Sequence, residues 1–184
     1  MAHRLSKITT RTGDAGETGL GDGSRVAKDH ARVQALGELD ELNSAIGLVL
    51  AEEVPAEMSA LLLEVQHDLF DLGGEVSIPG HAMLAETAVA RLETAIEAWN
   101  AELPRLKEFV LPGGTHAAAT AHLARTVCRR AERSLVALGR SETVSDAARR
   151  YLNRLSDVLF IVGRRLNRHA GRSDVQWRHE RKKR

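Results

Sequence analysis

Apolar residues recur at every third or fourth position in five stretches of this chain, and proline or glycine stands between one stretch and the next. This spacing places the apolar side chains on one face of an α-helix, so each stretch predicts an amphipathic helix. The breaks lie at Pro55, at residues 77–80, at Pro104 and at Gly139, and Gly171 ends the last stretch. Because short connections make neighbouring helices run in opposite directions, the pattern predicts an antiparallel bundle.

The composition agrees with a helical fold. Leu and Ala dominate, and aromatic residues make up only 3% of the chain, which favours interdigitated helices over a sheet. Asp29 and Thr115 suit the N-cap position of the first and fourth helices. The predicted fold class is all-α, a five-helix bundle. The expected helices run from about Asp29 to Pro55, from there to about Val76, through Val89 to Leu103, from Thr115 to Leu138, and from about Ser145 to His169.

A length of 184 residues with 43% hydrophobic content fits a single domain over residues 1–184. Residues 1–28 lack helical periodicity and are rich in Gly and Thr, so they predict an irregular arm ahead of a helical bundle over residues 29–171. Residues 172–184 form a basic tail with a surplus of four positive charges. Such a tail is typical of a disordered, solvated end, and a nucleic-acid or partner contact is the alternative.

The cysteine content and the hydropathy indicate where the chain works. Cys128 is the single cysteine, which excludes an internal disulfide framework and zinc-ribbon motifs and implies a reducing compartment. The N-terminus has no apolar signal region, and no stretch approaches the roughly 18 apolar residues of a membrane span. We therefore expect a cytoplasmic protein with no membrane contact.

Two predicted helices carry polar side chains beside their apolar stripes. On the fourth helix, Arg125, Arg129 and Glu132 fall within about 60° of one another, which predicts an anion site that also holds a carboxylate. On the fifth helix, Asn153 and Asp157 flank the stripe in the same way. The two polar flanks are predicted to face a common cleft, and a solvated charged surface is the alternative.

The first helix and the arm offer further polar groups. Asn43 falls inside the apolar stripe of the first helix and Asp40 at its edge, and a buried polar group needs a partner such as Arg125. In the arm, residues 9–19 are dense in glycines and hydroxyls that suit phosphate oxygens, and Lys28 supplies a positive charge. The arm has neither a Walker A loop nor a dinucleotide fingerprint, so a flexible N-terminal segment is the alternative.

Three other residues have an ambiguous meaning. Phe109 precedes a Val-Leu-Pro-Gly-Gly turn, where it either packs at the end of the bundle or forms an apolar wall against a planar cofactor. Glu64 and His67 have the Glu-x-x-His spacing of di-iron bundles, but such a site needs the motif twice. The chain has the motif once, so we expect a surface pair there.

Taken together, six stretches of the chain resemble the ATP:cob(I)alamin adenosyltransferases of the PduO type, and they occur in that family's order. The resemblance implies a five-helix bundle that assembles as a homotrimer, with each active site between neighbouring subunits. It also implies transfer of the 5′-deoxyadenosyl group of ATP to the cobalt of cob(I)alamin, which gives adenosylcobalamin and triphosphate. The matching stretches are residues 10–18, 25–28, 37–47, 109–114, 124–133 and 151–157.

The resemblance implies roles for single residues. Asp40 and Arg125 would form a salt bridge that shapes the site, and Phe109 would close the lower face of the corrin ring. Glu132 would lie near Mg²⁺ and the triphosphate, directly or indirectly. With Arg129, these four residues make up the implied catalytic set. The residues implied to hold ATP are Thr10, Arg11, Thr12, Gly13, Thr18, Gly19, Lys28, Arg129, Arg130, Ala131, Glu132, Arg133 and Asn153.

The implied reaction needs no nucleophile from the protein, because cob(I)alamin itself attacks the 5′ carbon of ATP, and no Ser/His or Cys/His arrangement is visible in the sequence. A flavoprotein reductase and an adenosylcobalamin-dependent enzyme are the implied protein partners, with no nucleic acid. Two other classes stay open: a di-iron or ferritin-like bundle, and a helical nucleic-acid-binding module that would use the basic tail.

Overall fold

The computed structural model describes residue 9 and residues 11–179, and in this part of the chain it contains five long helices. The predicted all-α bundle is confirmed. Thr115 and Ser145 cap the fourth and fifth helices, because their hydroxyl oxygens accept hydrogen bonds from the N–H groups of Ala118 and Ala148. The helices are α1 (Ala31–Leu50), α2 (Ala56–Ser77), α3 (Glu86–Ala101), α4 (His116–Leu138) and α5 (Asp146–His169).

Three helix ends differ from the prediction. The helix α1 ends at Leu50, five residues before Pro55. The N-cap of α1 is His30, one residue after Asp29, and its Nδ1 accepts a hydrogen bond of 3.2 Å from the backbone N–H of Arg32. The helix α3 ends at Ala101, so Leu103 lies in the connection to α4, where it is still buried. Leu103 keeps the apolar spacing of the helix although it lies outside it, and for this reason the predicted end of α3 was two residues too late.

The arm is more regular than predicted. It contains an antiparallel hairpin of β1 (Glu17–Gly19) and β2 (Arg25–Ala27), with Thr18 opposite Val26. Gly23 adopts the left-handed φ of +88° that the turn requires. The hairpin escapes prediction because each strand is only three residues long, too short for a period of two to show.

The helices bury one continuous apolar core. α4 packs against α1 and α5, α2 packs against α1, and α3 packs against α5. α4 and α5 approach closely at Gly163, where an added Cβ would lie 3.0 Å from Nε2 of His122. Within the described residues, none of the helices is long and apolar enough to cross a membrane.

The arm is fixed to one end of the bundle. The backbone N–H of Gly21 donates to both the carbonyl oxygen and Oγ of Ser77, at 3.0 and 2.8 Å. Nearby, the buried Arg32 binds the carbonyl of Val76 and the carboxylate of Glu142, which follows α4. The arm therefore lies where α1 begins and where α2 and α4 end.

The C-terminal segment, defined as residues 172–179, folds back on the connection between α3 and α4. The N–H of Trp177 donates to the carbonyl of Phe109 at 2.7 Å, and the N–H of Leu111 donates to the carbonyl of Val175 at 2.8 Å. Val110 and Gln176 lie opposite each other in this antiparallel pairing. The prediction of a disordered end is therefore wrong for residues 175–177, because charge composition does not reveal backbone pairing.

Candidate functional site

The polar flanks of α4 and α5 meet, as the sequence predicts. Nδ2 of Asn153 donates to Oε1 of Glu132 at 3.1 Å, and Oδ1 of Asn153 accepts from Nη1 of Arg154 at 2.9 Å. Arg154 in turn donates to Glu93 of α3 at 3.0 Å. This network fixes the Glu132 carboxylate on the surface that we call the α4–α5 face.

Arg129 lies on the same face and is exposed. Arg133 donates to its backbone carbonyl at 2.9 Å, which joins successive turns of α4. Water exclusion by neighbouring atoms raises the pKa of the Asp157 carboxyl, and the positive charges of Arg154 and Arg129 oppose that shift. No described carboxylate forms an ion pair with Arg129, so its guanidinium is available to an anionic ligand.

Arg125 is half-buried beside a pocket of about 510 Å³, which we call the aromatic pocket. Phe109 and Phe160 line the same pocket. Nε of Arg125 is buried without a hydrogen-bond partner among the described residues. Burial, and to a lesser extent the charge of Arg129, lowers the pKa of this guanidinium. A half-buried cation with an unpaired donor favours an anionic partner from outside the single chain.

Phe109 is 78% exposed, which contradicts the interpretation that it packs at the end of the bundle. The turn that follows it is rigid, because Asn167 of α5 donates to the carbonyl of Gly113 and accepts from the N–H of Thr115. Gly114 has a φ of +114°, and a Cβ there would lie 2.0 Å from Oδ1 of Asn167. The structure thus holds an apolar ring in solvent on a fixed support.

Phe160 was missed by the sequence reasoning, which concentrated on polar residues. It directly follows Leu159 of the apolar stripe and is only partly buried. Its ring centroid lies 6.0 Å from that of the buried His122. An aromatic residue on the polar flank of an amphipathic helix was the available signal, since aromatic side chains are usually buried or used in binding.

Asp40 is exposed and does not line the aromatic pocket. It lines a surface pocket of about 390 Å³ together with Phe70 of α2, and we call this surface the α1–α2 face. No described residue forms an ion pair with Asp40, so the implied salt bridge to Arg125 is absent within one described chain. Nδ2 of Asn43 donates to the carbonyl of Gln66 at 3.2 Å, whereas its Oδ1 is buried without a hydrogen-bond partner among the described residues.

Two residues implied to hold ATP face away from the α4–α5 face. Arg130 forms ion pairs with Glu38 and Glu41 of α1, and these hydrogen bonds raise its pKa. Ala131 is buried in the core. Successive helical residues differ by about 100°, so a run of five covers a whole turn and cannot all contact one ligand. Arg130 and Ala131 therefore lie on other sides of α4 than Arg129, and their implied role in holding ATP stays a prediction.

The arm brings several implied phosphate ligands together. A Cβ on Gly13 would lie 3.1 Å from Nζ of Lys28, so the ammonium group occupies the space that a side chain would fill. The N–H of Lys28 donates to the carbonyl of Gly16 at 2.9 Å, and Arg25 donates to the carbonyl of Thr12 at 2.9 Å. A lysine held against flexible glycine backbone is a suitable cradle for phosphate oxygens.

The other arm residues that are implied to hold ATP lie in different local structures. Arg11 has a left-handed φ of 60°, and Thr18 and Gly19 belong to strand β1. Thr10 lies outside the described residues.

The arm is distant from the aromatic pocket of the same chain. Along α4, the rise from Arg125 to Leu138 is about 20 Å, and the arm lies beyond the Leu138 end of this helix. The arm and the aromatic pocket of one chain are therefore on opposite halves of the bundle.

The described residues contain no group of three His, Cys, Asp or Glu side chains that could hold a metal ion. Glu64 and His67 are both exposed, as expected of a surface pair. Burial raises the pKa of the Cys128 thiol, whose Sγ donates to the carbonyl of Leu152 at 3.2 Å. This thiol is a buried structural group, because a reactive cysteine needs a low pKa and exposure.

Comparisons with known proteins show the family of this chain. A family model described as cobalamin adenosyltransferase matches residues 8–166. A protein of Cupriavidus metallidurans named cobalamin adenosyltransferase is 60% identical over 182 residues, which cover 98% of this chain and 99% of the relative. A corrinoid adenosyltransferase of Bacillus subtilis is 48% identical over 178 residues, which cover 93% of this chain and 92% of the relative.

A solved structure shows the same fold. It is a phenylalanine-to-histidine variant of a PduO-type ATP:corrinoid adenosyltransferase from Lactobacillus reuteri, complexed with cobalamin and ATP. The TM-score is 0.89 at 35% sequence identity, and the match covers 94% of this chain and 97% of that chain. The similarity therefore extends over nearly the whole of both chains and is not confined to six stretches.

Proposed function

The chain belongs to the cobalamin adenosyltransferase family, and we propose that two copies of it build each of its active sites together. It is a corrinoid adenosyltransferase, which makes adenosylcobalamin from ATP and the reduced corrinoid. The resemblance found in the sequence is confirmed, and the di-iron and nucleic-acid alternatives are not favoured. The observation that carries our assignment of residues is the aromatic pocket, which adjoins the cationic α4–α5 face.

In the reaction, the cobalt of cob(I)alamin forms a bond to the 5′ carbon of ATP, and the bond from that carbon to the triphosphate breaks. The triphosphate leaves with the electron pair. The protein therefore has to position two substrates and stabilise the charge of the leaving group. Arg129 supplies a planar cation on the α4–α5 face, and Lys28 supplies a second cation on the arm, so both are suited to the triphosphate.

Mg²⁺ would bind chiefly through phosphate oxygens, because this ion usually takes only one or two carboxylates from the protein. Glu132 is the carboxylate we assign to it, either directly or through water. The hydrogen bond from Asn153 leaves the other oxygen of Glu132 free to accept such a contact. Glu132 and Asn153 would thus orient the metal–triphosphate end of ATP.

The corrin ring would lie in the aromatic pocket, with Phe109 below the cobalt and Phe160 at its edge. Cobalt must lose its lower axial ligand before it is reduced to the nucleophilic state. An apolar ring in that position excludes water and the base of the cofactor, so it favours the four-coordinate form. The rigid turn held by Asn167 is what keeps Phe109 in place while its ring is exposed.

The shared site follows from the separation of its parts within one chain. Asp40 on the α1–α2 face and Arg125 on the α4–α5 face each lack a described partner for an ion pair, and contact between these two faces of neighbouring copies would pair them. The α1–α2 side also exposes Leu63 and Phe70, seven residues apart on one side of α2. Contacts between two different faces form a ring where the rotation between copies closes, and the family resemblance favours a ring of three.

The primary experiment is an anaerobic assay with ATP and chemically reduced cobalamin, which should yield the light-sensitive adenosyl product. The absence of product would contradict the assigned reaction. A second experiment tests the shared site by mixing inactive Lys28→Ala and Arg125→Ala chains after dissociation and reassembly. Random assembly of a ring restores about a quarter of the sites if arm and pocket come from neighbouring copies. No recovery would place both in one chain.

The reductase and the enzyme that receives the product stay predictions, as does the cytoplasmic location.

A further inference from the structure

A second pocket, with a volume of about 490 Å³, lies between the end of α3, the end of α5 and the C-terminal segment. It contains none of the residues assigned to ATP or to the corrin ring. Four of its lining residues are arginines, and we call it the arginine pocket. These arginines are Arg105, Arg164, Arg168 and Arg172.

The charges in this pocket do not cancel. Arg164 is buried and paired with Asp174 at 2.7 Å, and the Glu102 carboxylate pairs with Arg165 at 3.2 Å. Of the two carboxylates that line the pocket, Asp174 is thus paired with Arg164 of the pocket and Glu102 with Arg165 outside it.

The remaining three arginines have no carboxylate partner among the described residues. Arg168 donates to the backbone carbonyl of Glu102, and Arg172 donates to that of Gly114 at 3.3 Å. Arg105 is exposed and has no described partner. Because a neutral carbonyl does not compensate a charge, the pocket carries a net positive charge that favours an anion.

The arginine pocket and the aromatic pocket adjoin each other. Leu106 lines both of them. Gln176 of the arginine pocket lies opposite Val110 of the aromatic pocket, and residues opposite each other in an antiparallel pair have Cα atoms about 5 Å apart. Arg164 also lies over the ring of Phe160, with its guanidinium carbon 5.9 Å from the ring centroid. A ligand that fills one pocket and extends a few ångströms therefore enters the other.

We propose that the arginine pocket binds the nucleotide tail of the corrinoid, which is displaced from cobalt when the lower axial ligand is lost. That tail is a ribose phosphodiester that carries a flat, mostly apolar base. Its negative charge matches Arg105, Arg168 and Arg172, and the apolar surface of Leu103 and Leu106 lies beside them. The inference rests on the proposed position of the corrin ring over Phe109.

Holding the displaced base would also hinder its return to the cobalt. Phe109 blocks the lower position from one side, and the arginine pocket removes the competing ligand to another site. Binding of the tail therefore adds to the preference for the four-coordinate cobalt.

The test compares two corrinoids that differ only in the tail. Arg105→Ala, Arg168→Ala and the double variant are assayed with ATP and chemically reduced cobalamin, or with cobinamide, which lacks the nucleotide. Each lost charge-assisted contact should raise KM for cob(I)alamin about tenfold. The KM for cob(I)inamide and both kcat values should stay within about twofold, because neither arginine contacts the reacting atoms. Arg140→Ala, which removes an exposed arginine outside both pockets, is the matched control.

Several outcomes would overturn the inference. Equal rises in KM for both corrinoids, or no rise for either, would show that the arginines do not bind the tail. If added tripolyphosphate inhibits cob(I)inamide turnover in the wild type but less in the variants, the pocket binds the released product instead. A lack of turnover by the wild type with either corrinoid would instead contradict the proposed function. Since Arg105 is exposed and has no described partner, its variant should keep the wild-type melting temperature.

Discussion

Phe109→Ala should weaken substrate binding and leave folding nearly unchanged, because the ring contributes to binding and hardly to the stability of the fold. The side chain is 78% exposed in the isolated chain, so its removal exposes little new apolar surface. We expect the free energy of unfolding to change by no more than about 0.5 kcal/mol, as is usual for an exposed position. The same exposure leaves a large apolar area that the corrinoid can cover.

The expected loss of affinity follows from that area. A phenylalanine of about 200 Å² that is 78% exposed offers roughly 150 Å² to a ligand. If the corrin covers half of it, about 75 Å² is buried, which stabilises the complex by about 2 kcal/mol. This corresponds to a change in Kd of about thirtyfold. The fraction of four-coordinate cobalt should fall further, because alanine leaves room for water below the ring.

The assay is titration of cob(II)alamin in the presence of ATP, followed by absorption and electron paramagnetic resonance. Leu111→Ala is the control, since Leu111 is 47% exposed on the same connection but does not line the aromatic pocket. The variant at Phe109 should lose the four-coordinate signal and the control should keep it. An unchanged signal with unchanged Kd would refute the assignment of Phe109, and a large fall in melting temperature would refute the claim that its ring is structurally free.

Three further predictions concern the triphosphate, the assembly and the core. Arg129→Lys keeps the charge but loses the planar fork, so turnover should fall by a factor of about 10²; near wild-type turnover would remove Arg129 from the site. Phe70→Glu places a charge on the α1–α2 face and should disrupt the contact of this face with the neighbouring copy. Sedimentation should then show a loss of the species with about three times the 20.1 kDa chain mass. An intact trimer would place the contact between copies elsewhere. Burial, with a smaller effect of Arg125, holds the pKa of His122 below its ordinary 6.5. Because the unfolded chain then binds the extra proton, the free energy of unfolding should decrease as the pH falls below about 6.5, by at most about 1.4 kcal/mol per pH unit. His122→Leu should flatten that slope in melting experiments, and an equal slope would assign the pH dependence to other groups.

The fold was predictable because its signals are local. The helical period sets α1 to α5, and the hydroxyls of Thr115 and Ser145 fix the starts of two helices through bonds three residues away. The pairing of the C-terminal segment with residues 109–111 joins positions that are more than 60 residues apart. No local period indicates such a contact, and the positive charge of the tail pointed to the opposite conclusion.

The site was predictable in its chemistry and less so in its geometry. The meeting of Glu132 with Asn153 follows from two polar flanks on neighbouring helices, which a helical wheel shows. The orientation of Arg130 toward Glu38 does not, because it depends on which side of α4 the helix α1 packs. Phe160 was missed for a different reason, because attention to polar side chains passed over an aromatic residue beside the apolar stripe.

The isolated chain has features that weaken it and that the proposed assembly and the bound substrate would satisfy. Arg125 has a buried Nε without a described partner, and Phe109 holds an apolar ring in water. Each is unfavourable in a single copy, since an unpaired buried donor costs about 1 to 3 kcal/mol. Asp40 of a neighbouring copy would pair with Arg125, and a bound corrin would cover the ring of Phe109. Assembly and substrate binding are then coupled to stability, because each stabilises the state in which these groups are satisfied. ATP and corrinoid together should therefore raise the melting temperature of the wild type more than that of Phe109→Ala. An equal shift in both would show that the ring is not covered by the substrate.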